Sequence, residues 1–475
     1  MTELLKPDIC VIGAGSGGLS VAAAAAAFGV SVVLIEKDKM GGDCLNYGCV
    51  PSKAMIASGK IAETFRQSEK FGITAKEPEV DFQKVHDHVH SVIAAIAPND
   101  SVERFTGLGV RVITEAARFQ DSKTVIAGKY EIKARRFVVS TGSSAFVPPI
   151  PGIENVEYLT NENLFETTER PEHLIVIGAG PIGMEMAQAH RRLGCKVTVI
   201  EAARSLAQSD PELAAVALDH IKQEGVDIHE HTKVVRLEPS VEGGVDVIAE
   251  RDGLEITISG SHLLVATGRK ANVASLDLEK ANIDFDRRGI TVDAKMRSTN
   301  KRVYAIGDVA GGLQFTHVAG YHAGLVIRSI LFRAGAKENS HVMPWATFVD
   351  PEMANVGYTE AEAQQKHKDI RVLRWPYVEN DRAQAERKTS GLIKVITNKK
   401  GVILGAGIVG HGASEMINIW TLAVSQGMKV SAMTGYVPPY PTMTEIGKRA
   451  STEFYKPMLG KWWLKKLVRF LRIFG

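Results

Sequence analysis

A chain of 475 residues carrying only four cysteines has no need of the disulfide framework of a small secreted protein, and its length suggests roughly three domains. Its formal net charge of +3 hides an asymmetry: Lys461, Lys465, Lys466, Arg469 and Arg472 fall in the last fifteen residues, which hold no acid, so the rest is slightly acidic. That distribution argues against a nucleic-acid-binding protein, and the absence of a secretory signal in MTELLKPD and the glycine-broken ICVIGAGSGGL points to the cytoplasm.

In chain order, the first element is an apolar strand over 8–12 that runs into IGAGSGG, where Gly13, Gly15 and Gly18 fit G-x-G-x-x-G ahead of an alanine-rich helix. The first glycine makes the turn, the second admits a pyrophosphate to the backbone, and the third lets helix pack on strand. Glu36, at the end of the next strand, is placed to accept hydrogen bonds from a ribose diol. Cys10 and Cys195 lie in or beside apolar strand-like runs and read as small buried hydrophobes.

Next comes GGDCLNYGCVPSK, residues 41–53. Cys44 and Cys49 stand five positions apart and can close a small disulfide ring, with Gly41, Gly42, Gly48 and Pro51 supplying its turns. This pair reads as a redox-active disulfide. Further on, KVHDHVHSV puts His86 and His90 on one helical face, with His88 between them. No third ligand is evident there, so an exposed polar face is expected and no metal site is predicted.

The proline-rich VPPIPG at 147–152 reads as a linker into a second unit of the first kind. A strand over 174–177 leads to Gly178, Gly180 and Gly183 in IGAGPIG, and Glu201 follows its first glycine at the same spacing as Glu36 follows Gly13. Two such units imply two dinucleotides. Glu201 would repel a 2′-phosphate and favours NAD(H), although Arg204 nearby is the type of residue an NADP(H) site uses.

Two fingerprints plus CLNYGCVPSK resemble the class I pyridine nucleotide-disulfide oxidoreductases, the flavoproteins that include dihydrolipoamide dehydrogenase, glutathione reductase and mercuric reductase. VYAIGDVAGG at 303–312 is similar to the family's second FAD motif, STGS at 140–143 and ATGR at 266–269 to its short return turns, and QFTHVAGYHAG to the helix aimed at the flavin. The resemblance implies an α/β fold with two Rossmann-like domains, for FAD and NAD, and a C-terminal α+β dimerisation domain. The divisions are 1–150 with 275–340 for FAD, 151–274 for NAD(P), 341–456 for dimerisation, and a basic amphipathic tail at 457–475.

By the same resemblance, Gly13, Gly15, Gly18, Glu36, Lys37, Gly42, Lys53, Thr141, Gly142, Asp308, Thr316 and His317 would hold FAD, and Gly178, Gly180, Gly183, Glu201 and Gly268 would hold NAD(H). NADH would pass hydride to the flavin, which would open the Cys44–Cys49 disulfide. Cys49 would be the thiolate against the flavin and Cys44 the exchange thiol. Lys53, four residues after Cys49, would reach the flavin and pair with Glu185.

Two positions depart from the family pattern. VPPYPTMTEIGKR places Tyr440 where dihydrolipoamide dehydrogenase and glutathione reductase carry a histidine, with Glu445 matching the glutamate that orients it. A tyrosine, with an ordinary pKa of about 10, stays a protonated donor and is a poor general base for dithiol oxidation. Tyrosine there is similar to mercuric reductase, but no cysteine follows Cys195 to form that enzyme's C-terminal pair. Asp43 stands where the family usually has threonine, and its carboxylate is expected to raise the pKa of Cys44.

The expected activity is therefore reduction by NADH, through FAD, Cys49 and Cys44, of a disulfide, metal ion, quinone or similar small-molecule or protein acceptor, by a homodimer. A dihydrolipoamide dehydrogenase and a membrane-docked redox sensor are the alternatives. In the tail, Trp463, Leu467, Phe470, Leu471 and Phe474 share one helical face opposite the five basic residues. Too short to span a bilayer, it is expected to lie on an anionic membrane surface, at the inner face of the membrane.

Overall fold

The computed structural model describes residues 2–74, 77–241, 243–335 and 337–475. It divides into two compact units, Met1–Ala203 with Val226–Glu338, and Arg204–Gly225 with Asn339–Gly475.

The first unit is built on two parallel sheets. One has five strands in the order Val303–Ala305, Arg136–Val139, Ile9–Ile12, Val32–Glu36 and Arg111–Thr114. Its central strands, ICVI and VVLIE, are buried along their whole length, as parallel strands covered on both faces must be. The other has four strands, Asp227–His229, Lys196–Ile200, His173–Ile177 and His262–Val265. Each sheet is the strand, glycine turn and helix unit read from sequence, and the α/β class follows from them. Cys10 and Cys195 are fully buried in this unit.

Helix Cys49–Gln67, which follows the second motif cysteine, packs on helix Pro181–Arg192, which follows the second glycine turn. Gly59 makes the contact close: a Cβ there would lie 3.2 Å from the Ala189 carbonyl oxygen and 3.4 Å from the Arg192 side chain. The packing matters for the site, because it sets a residue of one helix against a residue of the other.

The second unit has an antiparallel sheet in the order Trp345–Thr347, Met353–Gly357, Ile403–Val409, Leu392–Asn398 and Ile370–Pro376, with helices Ala413–Ser425 and Glu445–Glu453 against it. Trp420 and Tyr377 are its largest fully buried side chains. The unit takes in 204–225 because helix Pro211–Gln223 is tied to that sheet. Asp210 caps the helix by accepting from the Glu212 amide at 3.0 Å, while its other oxygen accepts from Lys394 at 2.8 Å. The final helix, Trp462–Leu471, has no buried residue. Among the described residues no helix is long and apolar enough to cross a membrane.

Candidate active site

The two glycine turns repeat one another atom for atom. Gly13 and Gly178 have φ of +103° and +105°, and a Cβ on either would come within 2.5 Å of a carbonyl oxygen, that of Ser140 or of Ala266. On Gly18 and Gly183 it would meet the first glycine's own oxygen at 1.9 and 2.0 Å. The middle glycines face space instead: Gly180 meets nothing within 4 Å, and Gly15 only the Gly42 Cα at 4.0 Å. Helices Ser16–Ala27 and Pro181–Arg192 then begin with no side-chain cap on their first amides. Uncapped N–H groups beside a bare backbone suit a pyrophosphate.

The acidic residues repeat too. Glu36 accepts from the Ala14 amide at 2.6 Å and the Asp38 amide at 2.9 Å; Glu201 accepts from Ala179 at 2.8 Å and Ala203 at 2.9 Å. Each carboxylate is thus pinned beside its glycine turn, where a ribose would lie. The residues present fit two dinucleotides. Lys37 is exposed next to Glu36, and the Arg204 guanidinium donates to the Ala207 carbonyl at 3.3 Å.

The cysteine segment sits on the first of these turns. Gly41 donates to the Ala14 carbonyl at 3.0 Å, and a Cβ on Gly42 would lie 2.8 Å from the Gly15 Cα, so backbone meets backbone there. Cys44 lies in the short helix Gly42–Asn46 and Cys49 opens helix Cys49–Gln67. Both sulfurs are thiols in the structure, Cys44 half-buried and Cys49 exposed. Thr316, the first residue of helix Thr316–Phe332, brings its hydroxyl to 3.2 Å from the Cys49 sulfur. His317 stacks on Phe315 with ring centroids 5.4 Å apart.

This setting splits the two thiols. The hydrogen bond from Cys44 lowers the Cys49 pKa to about 6, with the Thr316 hydrogen bond and the Lys53 charge acting in the same sense against burial and the Asp43 charge. Cys44 moves far upward, because it holds the proton shared with Cys49 and because it is desolvated. The setting therefore favours a negative charge on Cys49 over Cys44. Lys53 donates to Glu185 at 2.7 Å across the helix pair; the Glu185 side chain is almost fully buried and Lys53 is partly open.

Asp43, one residue before Cys44, meets the Arg269 guanidinium at 2.9 Å and the Asn161 side-chain amide at 3.1 Å. The Cys44 pKa is raised, as expected, with Cys49 and burial as the largest causes, and the Asp43 charge disfavours negative charge at Cys49 and Asp308 as well. Arg269 is largely hidden, reaches Asp308 at 3.9 Å, and donates to the Ser143 hydroxyl at 2.7 Å; that hydroxyl in turn donates to Asp308 at 2.5 Å. Burial pushes the Asp308 carboxyl up. Arg269 and Asn161 were not singled out from sequence. The ATGR motif contains the arginine, but only the fold carries it to Asp43.

The return turns close the group. Gly142 and Gly268 have φ of +66° and +134°, and Thr141 donates to the Asn272 carbonyl at 2.8 Å. Tyr440 and Glu445 belong to the second unit. Tyr440 is 72% exposed, and its hydroxyl donates to Asp381 at 2.9 Å, while Glu445 opens helix Glu445–Glu453. The Asp381 carboxylate pushes the Tyr440 pKa upward from its ordinary value, which keeps the phenol protonated.

Residues 7–323 match the family model for pyridine nucleotide-disulphide oxidoreductase, and residues 343–451 match that family's dimerisation domain. The chain belongs to the pyridine nucleotide-disulphide oxidoreductases. It is 33% identical over 453 residues to a mercuric reductase of Bacillus cereus, covering 94% of this chain and 72% of that one. It is also 33% identical to a dihydrolipoyl dehydrogenase of Geobacillus stearothermophilus, covering 94% and 96%. Among solved structures, the HOCl-induced flavoprotein disulfide reductase RclA of Escherichia coli, in its Cu(II) complex, superimposes with a TM-score of 0.83 at 28% identity, covering 93% of this chain and 98% of that one.

As a member of the family the chain is an NAD(P)H-dependent flavoprotein oxidoreductase, with FAD and NAD(H) as its cofactors. It carries the family's dimerisation domain, which supports a homodimer.

Proposed function

We propose that this flavoenzyme takes electrons from NADH and delivers them through Cys49 and Cys44 to an acceptor that needs no proton withdrawn by a histidine: a metal ion, a quinone or a disulfide. The observation that carries the reading is Tyr440, exposed and hydrogen-bonded to Asp381, in the place where the histidine-type members of the family carry their base; the Thr316 hydroxyl 3.2 Å from the Cys49 sulfur supports it. Residues 1–150 with 275–340 would hold FAD, 151–274 NAD(H), and 341–456 the partner subunit.

When bound, FAD supplies hydride acceptance from the nicotinamide and electron transfer to the disulfide. The glycine turns and Glu36 and Glu201 would hold the two dinucleotides, with Lys37, Gly42, Thr141, Gly142, Asp308, Thr316, His317 and Gly268 completing their walls. Glu185 fixes the Lys53 ammonium by a charge-assisted hydrogen bond, so that this cation faces the site in one orientation. The Thr316 hydroxyl and the N-terminal end of its helix stabilise the Cys49 thiolate. Cys44, which keeps its proton, is the thiol left to meet the acceptor. Tyr440, held protonated by Asp381, can donate a hydrogen bond but cannot serve as the base that dihydrolipoamide oxidation requires.

An acceptor panel tests this reading. NADH oxidation by the holoenzyme is measured with lipoamide, glutathione disulfide, mercuric ion, cupric ion and quinones, and dihydrolipoamide oxidation with NAD+. The expected outcome is turnover with a metal ion, quinone or disulfide and slow dihydrolipoamide oxidation. Dihydrolipoamide oxidation at rates usual for efficient enzymes contradicts the proposal, and slow turnover with every acceptor favours a redox sensor.

We further propose that residues 461–475 hold the enzyme to an anionic membrane surface, at the inner face in a cytoplasmic setting. Support comes from the exposed helix Trp462–Leu471, where Phe470 and Leu471 are each more than half exposed on the face opposite its lysines and arginine. The full chain is expected to co-sediment with phosphatidylserine vesicles and to be released by salt, and a chain ending at Gly460 to stay in solution. Equal behaviour of the two chains contradicts the proposal.

A further inference from the structure

The histidine face of helix Phe82–Ile96 does not end at two ligands. Glu166 comes from the one-turn helix Leu164–Glu166, in the same unit, and with His86 and His90 it brings one potential ligand atom from each residue within 4.8 Å of the others. We propose that His86, His90 and Glu166 form a binding site for a divalent transition-metal ion of the Zn(II) or Cu(II) kind.

Three observations carry it. The His86 and His90 rings face each other with centroids 4.2 Å apart, the result of an i, i+4 spacing that turns both imidazoles to one side. The Glu166 carboxylate lies 3.7 Å from His90 Nε2, a nitrogen that also meets the Phe165 carbonyl oxygen at 3.1 Å and exchanges that contact for the ion on binding. His86 Nδ1 is 3.1 Å from the Asp87 carboxylate, which is itself steadied by the Gln83 amide at 2.9 Å. A carboxylate on one ring nitrogen fixes the tautomer and frees Nε2 for a metal, the outer arrangement that ligating histidines commonly have.

The donor set selects the ion. Two imidazoles and one carboxylate suit Zn(II), Cu(II) and Ni(II), whereas Mg(II) and Ca(II) want oxygens throughout. A tetrahedral ion about 2.0–2.2 Å from each ligand needs its ligand atoms roughly 3.4 Å apart. His86 and His90 are half-buried and Glu166 is exposed, so side-chain rotation can close the remaining gap. The fourth position would be left to water. Bound there, the ion would tie helix Phe82–Ile96 to the segment that leads towards the second glycine turn. That helix packs on the one carrying Cys49 and Lys53.

Thiolates are good ligands for such ions, so the test removes the dithiol. Calorimetric titration of Zn(II) into the Cys44→Ser/Cys49→Ser holoenzyme is expected to show one ion per chain. Glu166→Gln, His86→Ala and His90→Ala, each added to that background, should weaken binding at least about tenfold. His88→Ala, exposed on the same helix, should change it less than twofold. With Cu(II) as probe, electron paramagnetic resonance should show imidazole nitrogen coupling that His90→Ala diminishes. Absence of one-to-one binding, binding that survives both His90→Ala and Glu166→Gln within twofold, or equal loss in His88→Ala would overturn the proposal. Circular dichroism of each variant separates loss of a ligand from loss of fold, and the surface-exposed Glu166→Gln keeps the test decisive if a histidine variant misfolds.

Discussion

Replacing Cys44 with serine is expected to lower acceptor turnover at least about a thousandfold while NADH still bleaches one equivalent of flavin. The first unit separates holding the dinucleotides from passing electrons onward. The glycine turns and the two pinned carboxylates that fit the dinucleotides involve neither sulfur, so hydride transfer has its binding sites intact. Delivery onward is different. Cys44 is the thiol left to meet the acceptor, giving up its proton as it attacks, and a serine hydroxyl forms no mixed disulfide and is a far weaker nucleophile at neutral pH. Stopped-flow absorbance under anaerobic conditions checks both halves in one experiment. Turnover within tenfold of wild type would mean that electrons leave the flavin without passing the dithiol.

The largest effect on stability is expected at Lys394. Its side chain is 4% exposed, and its ammonium lies 2.8 Å from Asp210, 2.9 Å from Glu212 and 2.7 Å from Glu360. Arg374 reaches Glu212 at 2.8 Å and Glu360 at 2.9 Å, while the buried Asp210 side chain is paired by Lys394. Lys394→Met keeps most of the stem and removes the charge, leaving three carboxylates to one guanidinium. Breaking a buried pair from one side costs about 3–5 kcal/mol, and that is the expected loss in urea unfolding at neutral pH. Because Asp210 also caps helix Pro211–Gln223, the loss should appear as loosening of 204–225 in hydrogen exchange. Glu212 has its carboxyl held below the ordinary glutamate range, chiefly by the Arg374 hydrogen bond. Its share of the wild-type stability is present above that range and is lost as pH falls through the lowered value.

What could be read from the sequence was whatever depends on local backbone demands. Gly13, Gly18, Gly178 and Gly183 stand where a side chain would collide with a carbonyl, so the two turns declare themselves in seven residues. The cysteine spacing is local in the same way. Long-range charge pairing is not. Arg269 and Asn161 reach Asp43 from more than a hundred residues away, so the partners of its carboxylate cannot be read from the segment around it. Lys394 lies in LIKVITN among five consecutive buried residues, where alternation rules would turn a lysine outward; its partners come from 210–212 and 360. Glu166 joins His86 and His90 from outside their helix, which is why no third ligand could be seen on that helix.

The proposed electron path depends on one charge held by Cys49 while Cys44 stays protonated. Ultraviolet thiolate absorbance of the two-electron-reduced holoenzyme, followed anaerobically against pH, tests this directly in wild type, Cys44→Ser, Cys49→Ser and Thr316→Val. The sign follows from a lowered pKa: the thiolate is present above about pH 6 and is lost as pH falls through that value. Wild type should therefore titrate near pH 6, with the signal absent at neutral pH in Cys49→Ser and the transition moved upward in Thr316→Val and Cys44→Ser, each of which alters a hydrogen bond to the Cys49 sulfur. A single transition near pH 8.5, the range of an ordinary thiol, or a neutral-pH thiolate that persists in Cys49→Ser, would contradict it.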